Sequence, residues 1–246
     1  MPERASRRSI LLPAAVAAIG AAILVSLGLW QLERKTWKEA LIATLAERVT
    51  AAPVKLPPAA QWSSLSAASD EFRRVSLRVT FSPDADAAWL FSGASALRED
   101  VKAAGYFVFV PARLPDGRQI AVNRGFVPDR NVPLPAGTFD ITGYLRWPQA
   151  ASWFVASHDS TGETWLVRDP AGMAQARRWG EVAPFYIDQE APLPPGGLPR
   201  PGPLTVRLKN DHLNYALTWF SLAGTLTAVF LLWLWRQRRS RRPAAS

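Results

Sequence analysis

The chain has no cysteine. That absence removes disulfides, thiolate metal sites and cysteine nucleophiles together. It suits an oxidising compartment, where a free thiol is a liability. Histidine is nearly as scarce, with only His158 and His212 in 246 residues. The sequence also lacks a Gly-rich phosphate loop, a nucleophile elbow and any cluster of metal-ligand residues. His158-Asp159-Ser160 carries the letters of a hydrolytic triad. Triads are assembled from distant positions, however, and neighbours along a chain rarely converge on one point. With no candidate catalytic group, a non-enzymatic role is expected.

Acidic charge is unevenly missing. The formal net charge is +9, but residues 1–9 and 236–246 hold eight Arg and one Glu, while the body between them holds 21 Lys/Arg against 19 Asp/Glu. A nearly neutral body with basic tails lacks the basic face that a nucleic-acid partner requires. Basic ends fit the positive-inside rule of membrane proteins instead.

Two long apolar runs are present. Residues 213–235 run for 23 positions and residues 10–30 for 21 without a charge. Each suffices for one bilayer-crossing helix, which needs about 20 residues. The first run is longer than the apolar core of a signal peptide, about 7–15 residues. Its small residues are spread out rather than gathered at a cleavage site, and its helical pattern continues beyond residue 30, so an uncleaved anchor is expected. Ala14, Ala18 and Ala22 form a small-residue stripe against which a second helix could pack through Ala216, Ala223 and Gly224. Arginines at both outer ends place the tails 1–9 and 236–246 in the cytoplasm and residues 31–211 on the far side, with membrane lipid as a partner. Trp30, Trp233 and Trp235 then fall at interface levels.

Residues 31–50 have no Gly or Pro and extend the first helix to about residue 50. Trp30, Arg34, Trp37, Leu41 and Leu45 share one face of it, and packing against the far-side domain is the expected use of that stripe. Arg34 is the exception, a cation near the membrane surface available to a carboxylate. Residues 51–190 read as a β-rich domain. Strands are expected at 72–81, 87–91, 105–113, 118–126, 138–147, 164–167 and 185–188, with Pro115-Asp116-Gly117 a hairpin turn and Gly143 a bulge. Asp169-Pro170 opens a short helix as N-cap and first residue. Residues 191–209 begin with a Pro/Gly-rich stretch that reads as a stiff connector, leading to the second membrane helix at 210–235. The fold class is therefore a membrane protein whose two transmembrane α-helices flank a mainly antiparallel β-domain, a small barrel or sandwich.

His212 stands at the lip of the second span, followed on one helical face by Tyr215, Trp219 and Leu222. Imidazole is a standard axial ligand of haem iron. A macrocycle could lie against Tyr215 and Trp219, with its propionates toward Arg34, Lys35, Arg207 and Lys209. The residues alone favour the plainer reading, an interfacial histidine with no ligand role. Asn123-Arg124-Gly125-Phe126-Val127-Pro128, at the end of a strand, reads as architectural.

Several motifs carry a resemblance over almost the whole length. They are Gly28-Leu29-Trp30-Gln31-Leu32-Glu33-Arg34-Lys35-Thr36-Trp37-Lys38, Asp116-Gly117 followed by Val122 and the Asn123–Pro128 run, Thr142-Gly143-Tyr144-Leu145-Arg146, Arg168-Asp169-Pro170, Ala183-Pro184-Phe185 and Asn210-Asp211-His212-Leu213-Asn214-Tyr215-Ala216-Leu217-Thr218-Trp219-Phe220. In these the chain resembles the Surfeit-locus family of cytochrome c oxidase assembly factors, bacterial branch. It departs from the family at Phe126, commonly a tryptophan there, and in the less aromatic Trp165-Leu166-Val167. The resemblance implies a two-span protein of the bacterial inner membrane with a periplasmic central domain. It implies a chaperone-like role in respiratory-chain biogenesis, with transient binding of haem a. The partners implied are the oxidase catalytic subunit and the haem a synthesis machinery. The family's histidine and tryptophan fall on His212 and Trp219. The expected site is then His212 as axial ligand of the haem iron, Trp219 and Tyr215 against the ring and Arg34 at a propionate, between the spans and a lid from the β-domain. The alternative is a scaffold that stabilises an oxidase intermediate and binds no cofactor.

Overall fold

The computed structural model describes residues 3–93, 95, 97–134, 136–149, 157–159, 163–205 and 209–239. In chain order these form α1 (Glu3–Thr50), β1 (Val54–Lys55), a 3-10 helix (Ala59–Ser64), α2 (Ala67–Asp70), β2 (Arg74–Phe81), β3 (Ala88–Ser92), β4 (Gly105–Arg113), β5 (Gln119–Val127), β6 (Gly137–Arg146), β7 (Thr164–Trp165), α3 (Pro170–Ala176), β8 (Val182–Ala191) and α4 (His212–Arg239). They fall into two compact units, Met1–Ile42 with Leu208–Ser246, and Ala43–Arg207.

In the first unit α1 and α4 are paired. Only 6% of the apolar window of each helix is buried, so neither is the core helix of a soluble fold, and both are long and apolar enough to cross a membrane. Contacts run in opposite order along the two helices. Gly20 faces Leu226, Gly28 faces Phe220, and Gln31 meets His212, so the pair is antiparallel. At Gly28 a Cβ would sit 2.5 Å from the Phe220 ring. Glycine is what lets the helices approach there.

The small-residue stripe expected from the sequence is only partly used. Ala216 and Ala223 are buried in the seam, but Ala18, Ala22 and Gly224 are exposed, and nothing lies within 4 Å of a Cβ placed on Gly224. A strict spacing of four advances about 400° per step and slips off a straight contact line, whereas mixed steps of three and four stay on it. The seam follows the second pattern, through Ala17, Gly20, Leu24, Gly28 and Gln31 on α1 and Ala216, Phe220, Ala223 and Leu226 on α4. The stripe on the rest of α1 is corrected likewise. Trp30 and Trp37 are each more than half exposed and Arg34 is exposed, whereas Leu41 is half-buried and Leu45 buried. A tryptophan-rich face just past an apolar run suits a water–lipid interface as well as a core.

The second unit is built on a closed barrel of five strands, in the order β2-β6-β8-β5-β4 and back to β2 through Thr80↔Arg113 and Phe81↔Ala112. A ring with an odd number of strands cannot alternate direction everywhere. The one parallel pairing in this ring is β5 with β8, and the other four are antiparallel. β3 and β7 extend the sheet beyond β4, and β1 extends it beyond β2. Alternate residues fill the barrel: Val75, Leu77 and Val79 from β2, Val108 and Val110 from β4, Phe185 and Ile187 from β8, with Trp62 among them. β4 is apolar on both faces because its outward Phe107 and Phe109 enter a second core with Leu90, Trp165, Met173 and Tyr186, alongside α3. Each such buried side chain contributes about 1.5–3 kcal/mol.

The expected strands are present, with differences at their ends. β8 is far longer than 185–188, running from Val182 to Ala191. Pro184 has no N–H to give the ladder, and the register against β5 shifts between Gln119 and Ala121, opposite Val182 and Tyr186. Strand 164–167 shortens to Thr164–Trp165. β6 has an irregularity between Thr142 and Gly143, where a Cβ on the glycine would meet the Asp188 carbonyl at 2.5 Å. Asp169 caps α3, its carboxylate accepting the Gly172 N–H at 3.0 Å. β1, the 3-10 helix and α2 were not legible in the sequence; they are two to six residues long.

Candidate functional site

The site sits in the helix unit, at the first residue of α4. The Asp211 carbonyl accepts the Tyr215 N–H at 3.2 Å and opens the helix, leaving His212 half-buried at its edge. The His212 Nδ1 lies 2.7 Å from Gln31 Oε1 on α1. Among the described residues Nε2 has no hydrogen-bond partner. Trp219, two turns further on, is half-buried beside the seam, and Tyr215 is 57% exposed on the outer flank. His212, Tyr215 and Trp219 therefore run along one border of the helix pair.

The cations divide. The Arg34 guanidinium lies 4.0 Å over the Trp37 ring, a cation–π contact that leaves the side chain exposed. Lys35 is engaged by Glu39 at 2.8 Å and Lys209 by Asp211 at 2.6 Å, and Asp211 holds the Lys209 ammonium above its ordinary value. Arg207 lies outside the described residues. Gln31 was not singled out from the sequence. The signal available was a lone amide following directly on the first apolar run, one turn after the glycine that admits Phe220.

The motif residues of the barrel are used differently. Asn123 donates to Asp188 at 2.8 Å and accepts the Gly125 N–H at 3.1 Å. Asp188 faces Arg146 at 3.5 Å, and Arg146 binds Glu71 at 2.6 Å. Burial opposes the charge on Arg146, but the surrounding Tyr186, Asp188 and Glu71 hold its pKa up. Burial pushes the Tyr186 hydroxyl up to about 12. Arg124 lies 4.0 Å over Phe81, and burial there lowers it to about 10. Gly125 has φ +118°, and the closest atom to a Cβ on it would be the Arg200 carbonyl oxygen. That closeness lets Arg200 exchange two backbone hydrogen bonds with Phe126, at 2.8 and 2.9 Å. Arg98, 1% exposed, adds bonds to the Arg200 and Pro201 carbonyls while paired with Asp100. This stitches the Pro/Gly-rich connector to the barrel. His158 has its Nδ1 3.0 Å from the Asp159 carbonyl and its ring edge-on to Trp165, while Asp159 accepts the Glu163 and Thr164 N–H groups. His158 and Asp159 thus serve a loop, and Ser160 lies outside the described residues.

An antiparallel pair of membrane-length helices, a five-stranded barrel and a histidine at a helix lip define the class: a membrane protein carrying a small β-barrel domain. Comparison with known proteins narrows this. The SURF1 family model matches residues 18–224. A SURF1-like protein of Monosiga brevicollis is 33% identical over 228 residues, covering 87% of this chain and 83% of that protein. Surfeit locus protein 1 of Homo sapiens is 31% identical over 227 residues, covering 84% and 71%, and a SURF1-like protein of Drosophila melanogaster is 32% identical over 228. The chain belongs to the SURF1 family.

Proposed function

We propose that this protein is an assembly factor for a haem-copper cytochrome c oxidase, one that holds haem a briefly and helps its insertion into the catalytic subunit. Haem is cargo here, and no catalytic step is assigned to the chain. The observation that carries the reading is His212, half-buried at the lip of α4 with one ring nitrogen held by Gln31 and the other unengaged among the described residues. The unengaged nitrogen is a ligand for iron. Trp219 and Tyr215, on the same border, supply flat apolar surface for a macrocycle. Arg34, exposed and stacked on Trp37, is the cation for a propionate. A single protein ligand with sparse polar support suits a carrier that must release what it holds. The terminal arginines favour both tails on the cytoplasmic side and the barrel on the far side, and the family resemblance makes that membrane the bacterial inner membrane and that side the periplasm. The partners are then the oxidase catalytic subunit and the machinery that makes haem a.

The test is a visible spectrum of the protein purified from a host that makes haem a, for wild type and His212→Ala. A Soret band in wild type that is lost or shifted in the variant is expected. No band in wild type would favour a cofactor-free scaffold. A band unchanged in the variant would remove His212 as ligand. Orientation is checked by introducing single cysteines in the tails and the barrel, since the chain has none to interfere; labelling of the barrel from the cytoplasm would reverse the topology.

A further inference from the structure

We infer that Gln31 is a positioning residue for His212: it fixes which ring nitrogen carries the proton and so leaves Nε2 as the only nitrogen open to a metal. The inference deepens the haem-carrier reading and rests on it for the identity of the metal. The hydrogen bond itself stands apart from that reading. It joins His212 Nδ1 to Gln31 Oε1 at 2.7 Å, across the two helices. An amide oxygen only accepts, so Nδ1 must carry the hydrogen. Neutral imidazole then has its lone pair on Nε2. Free histidine prefers the opposite form, with the proton on Nε2 and Nδ1 bare. The contact therefore imposes the less favoured tautomer, which is the one that presents the outer nitrogen. It also fixes the ring's orientation, because Gln31 lies three residues past Gly28, where a Cβ would strike Phe220. The close approach at that glycine holds the two helices in the register that brings amide and imidazole together.

The choice of an amide over a carboxylate has a consequence. A carboxylate partner draws the Nδ1 proton strongly and makes the opposite nitrogen a more basic, tighter ligand. A neutral amide orients the ring without that push. The arrangement favours a defined but releasable bond to iron.

The experiment uses the full chain in lipid nanodiscs with 15N-labelled histidine, His212 resonances being assigned by their loss in His212→Ala. Wild type should have the proton on Nδ1. Gln31→Leu, similar in size and helix preference but without an acceptor, should return the ring to the Nε2-protonated form. Gln31→Glu, which keeps an acceptor oxygen, should retain the wild-type tautomer. Hemin titrated into the same samples should bind Gln31→Leu about 10–100-fold more weakly than wild type, the usual cost of losing a metal ligand's orienting partner. A wild-type ring protonated on Nε2, a tautomer unmoved in Gln31→Leu, or equal hemin affinity despite a switched tautomer would each overturn the inference. If the tautomer responds as stated but wild type takes up neither hemin nor haem a, Gln31 still orients His212 and it is the carrier reading that fails.

Discussion

Arg146 in the barrel and His212 in the helix pair are both held in partly or fully dry surroundings, and they are partnered in opposite ways. In the barrel, Arg146 has carboxylates on two sides, Glu71 at 2.6 Å and Asp188 at 3.5 Å, and Asp188 also takes the Asn123 amide. In the helix pair, His212 has one partner at 2.7 Å and, among the described residues, a second nitrogen left over. Groups whose bonds are all taken up hold structure together. A group with bonding capacity kept in reserve is where a ligand can enter. By that contrast Arg146, Asp188 and Asn123 serve the barrel's architecture, and the helix lip is the ligand site proposed above.

The sharpest way to break the comparison is Arg146→Ala. Removing one member of a buried ion pair strands the carboxylates, and such losses cost about 3–5 kcal/mol. The barrel should melt well below wild type, as followed by circular dichroism of the purified protein in detergent. If Arg146→Ala melted normally yet lost the Soret band, Arg146 would be part of the site and the division of labour would be wrong.

A smaller effect is expected in the helix pair from the same change made at two glycines. Gly28→Leu drives a side chain into Phe220, whereas Gly224→Leu points into open space. The helix preference of the new residue is the same at both, so the difference isolates packing. Gly28→Leu should weaken pairing by about 1–3 kcal/mol, the usual cost of overpacking. The measurement is crosslinking yield between cysteines placed at Gly20 and Leu226, with Gly224→Leu expected to leave it unchanged. Equal losses at both positions would mean that the seam follows the spacing of four after all.

These two tests fall on either side of what the sequence made legible. The barrel strands were readable because period-two alternation, as in Val75, Leu77 and Val79, is imposed by having one face inside. Both apolar spans were readable from length alone. The stretch between β6 and β7 that the sequence left as loop is largely outside the described residues. The helix seam was misread because alanine is common throughout 10–30, so a stripe of four could be drawn where no partner lies. Closure of the barrel depends on which strands pair, and β8 lies between β5 and β6 although it follows both in sequence. No local pattern announces that. His212 and Trp219 were legible as residue types at a helix lip, but Gln31 was not, because its role comes from a contact across 181 positions of chain.

The smallest expected effect concerns acid stability of the barrel, and its sign follows from Asp100. Its hydrogen bond from Arg98, with a charge contribution from Arg200, holds the Asp100 carboxyl below its ordinary value of 3.8. A depressed carboxylate adds stability that is present above the unfolded value and is lost as pH falls through the folded one. The window is therefore below about pH 4. The Asp100 side chain is 43% exposed, so solvent screening limits its share to under about 1 kcal/mol. Asp70, also held low, by bonds from Ser69, Ser66 and Arg73 that outweigh burial, acts in the same window. Asp100→Asn should therefore lower the melting temperature slightly near neutral pH, because the buried Arg98 loses its ionic partner. It should also flatten, without abolishing, the fall in melting temperature below pH 4, since Asp70 still titrates. If Asp100→Asn left the acid slope unaltered, the Arg98–Asp100 pair would be contributing nothing beyond the carbonyl contacts that Arg98 makes to Arg200 and Pro201. The stitching of the connector would then rest on those contacts and the Arg200–Phe126 backbone bonds.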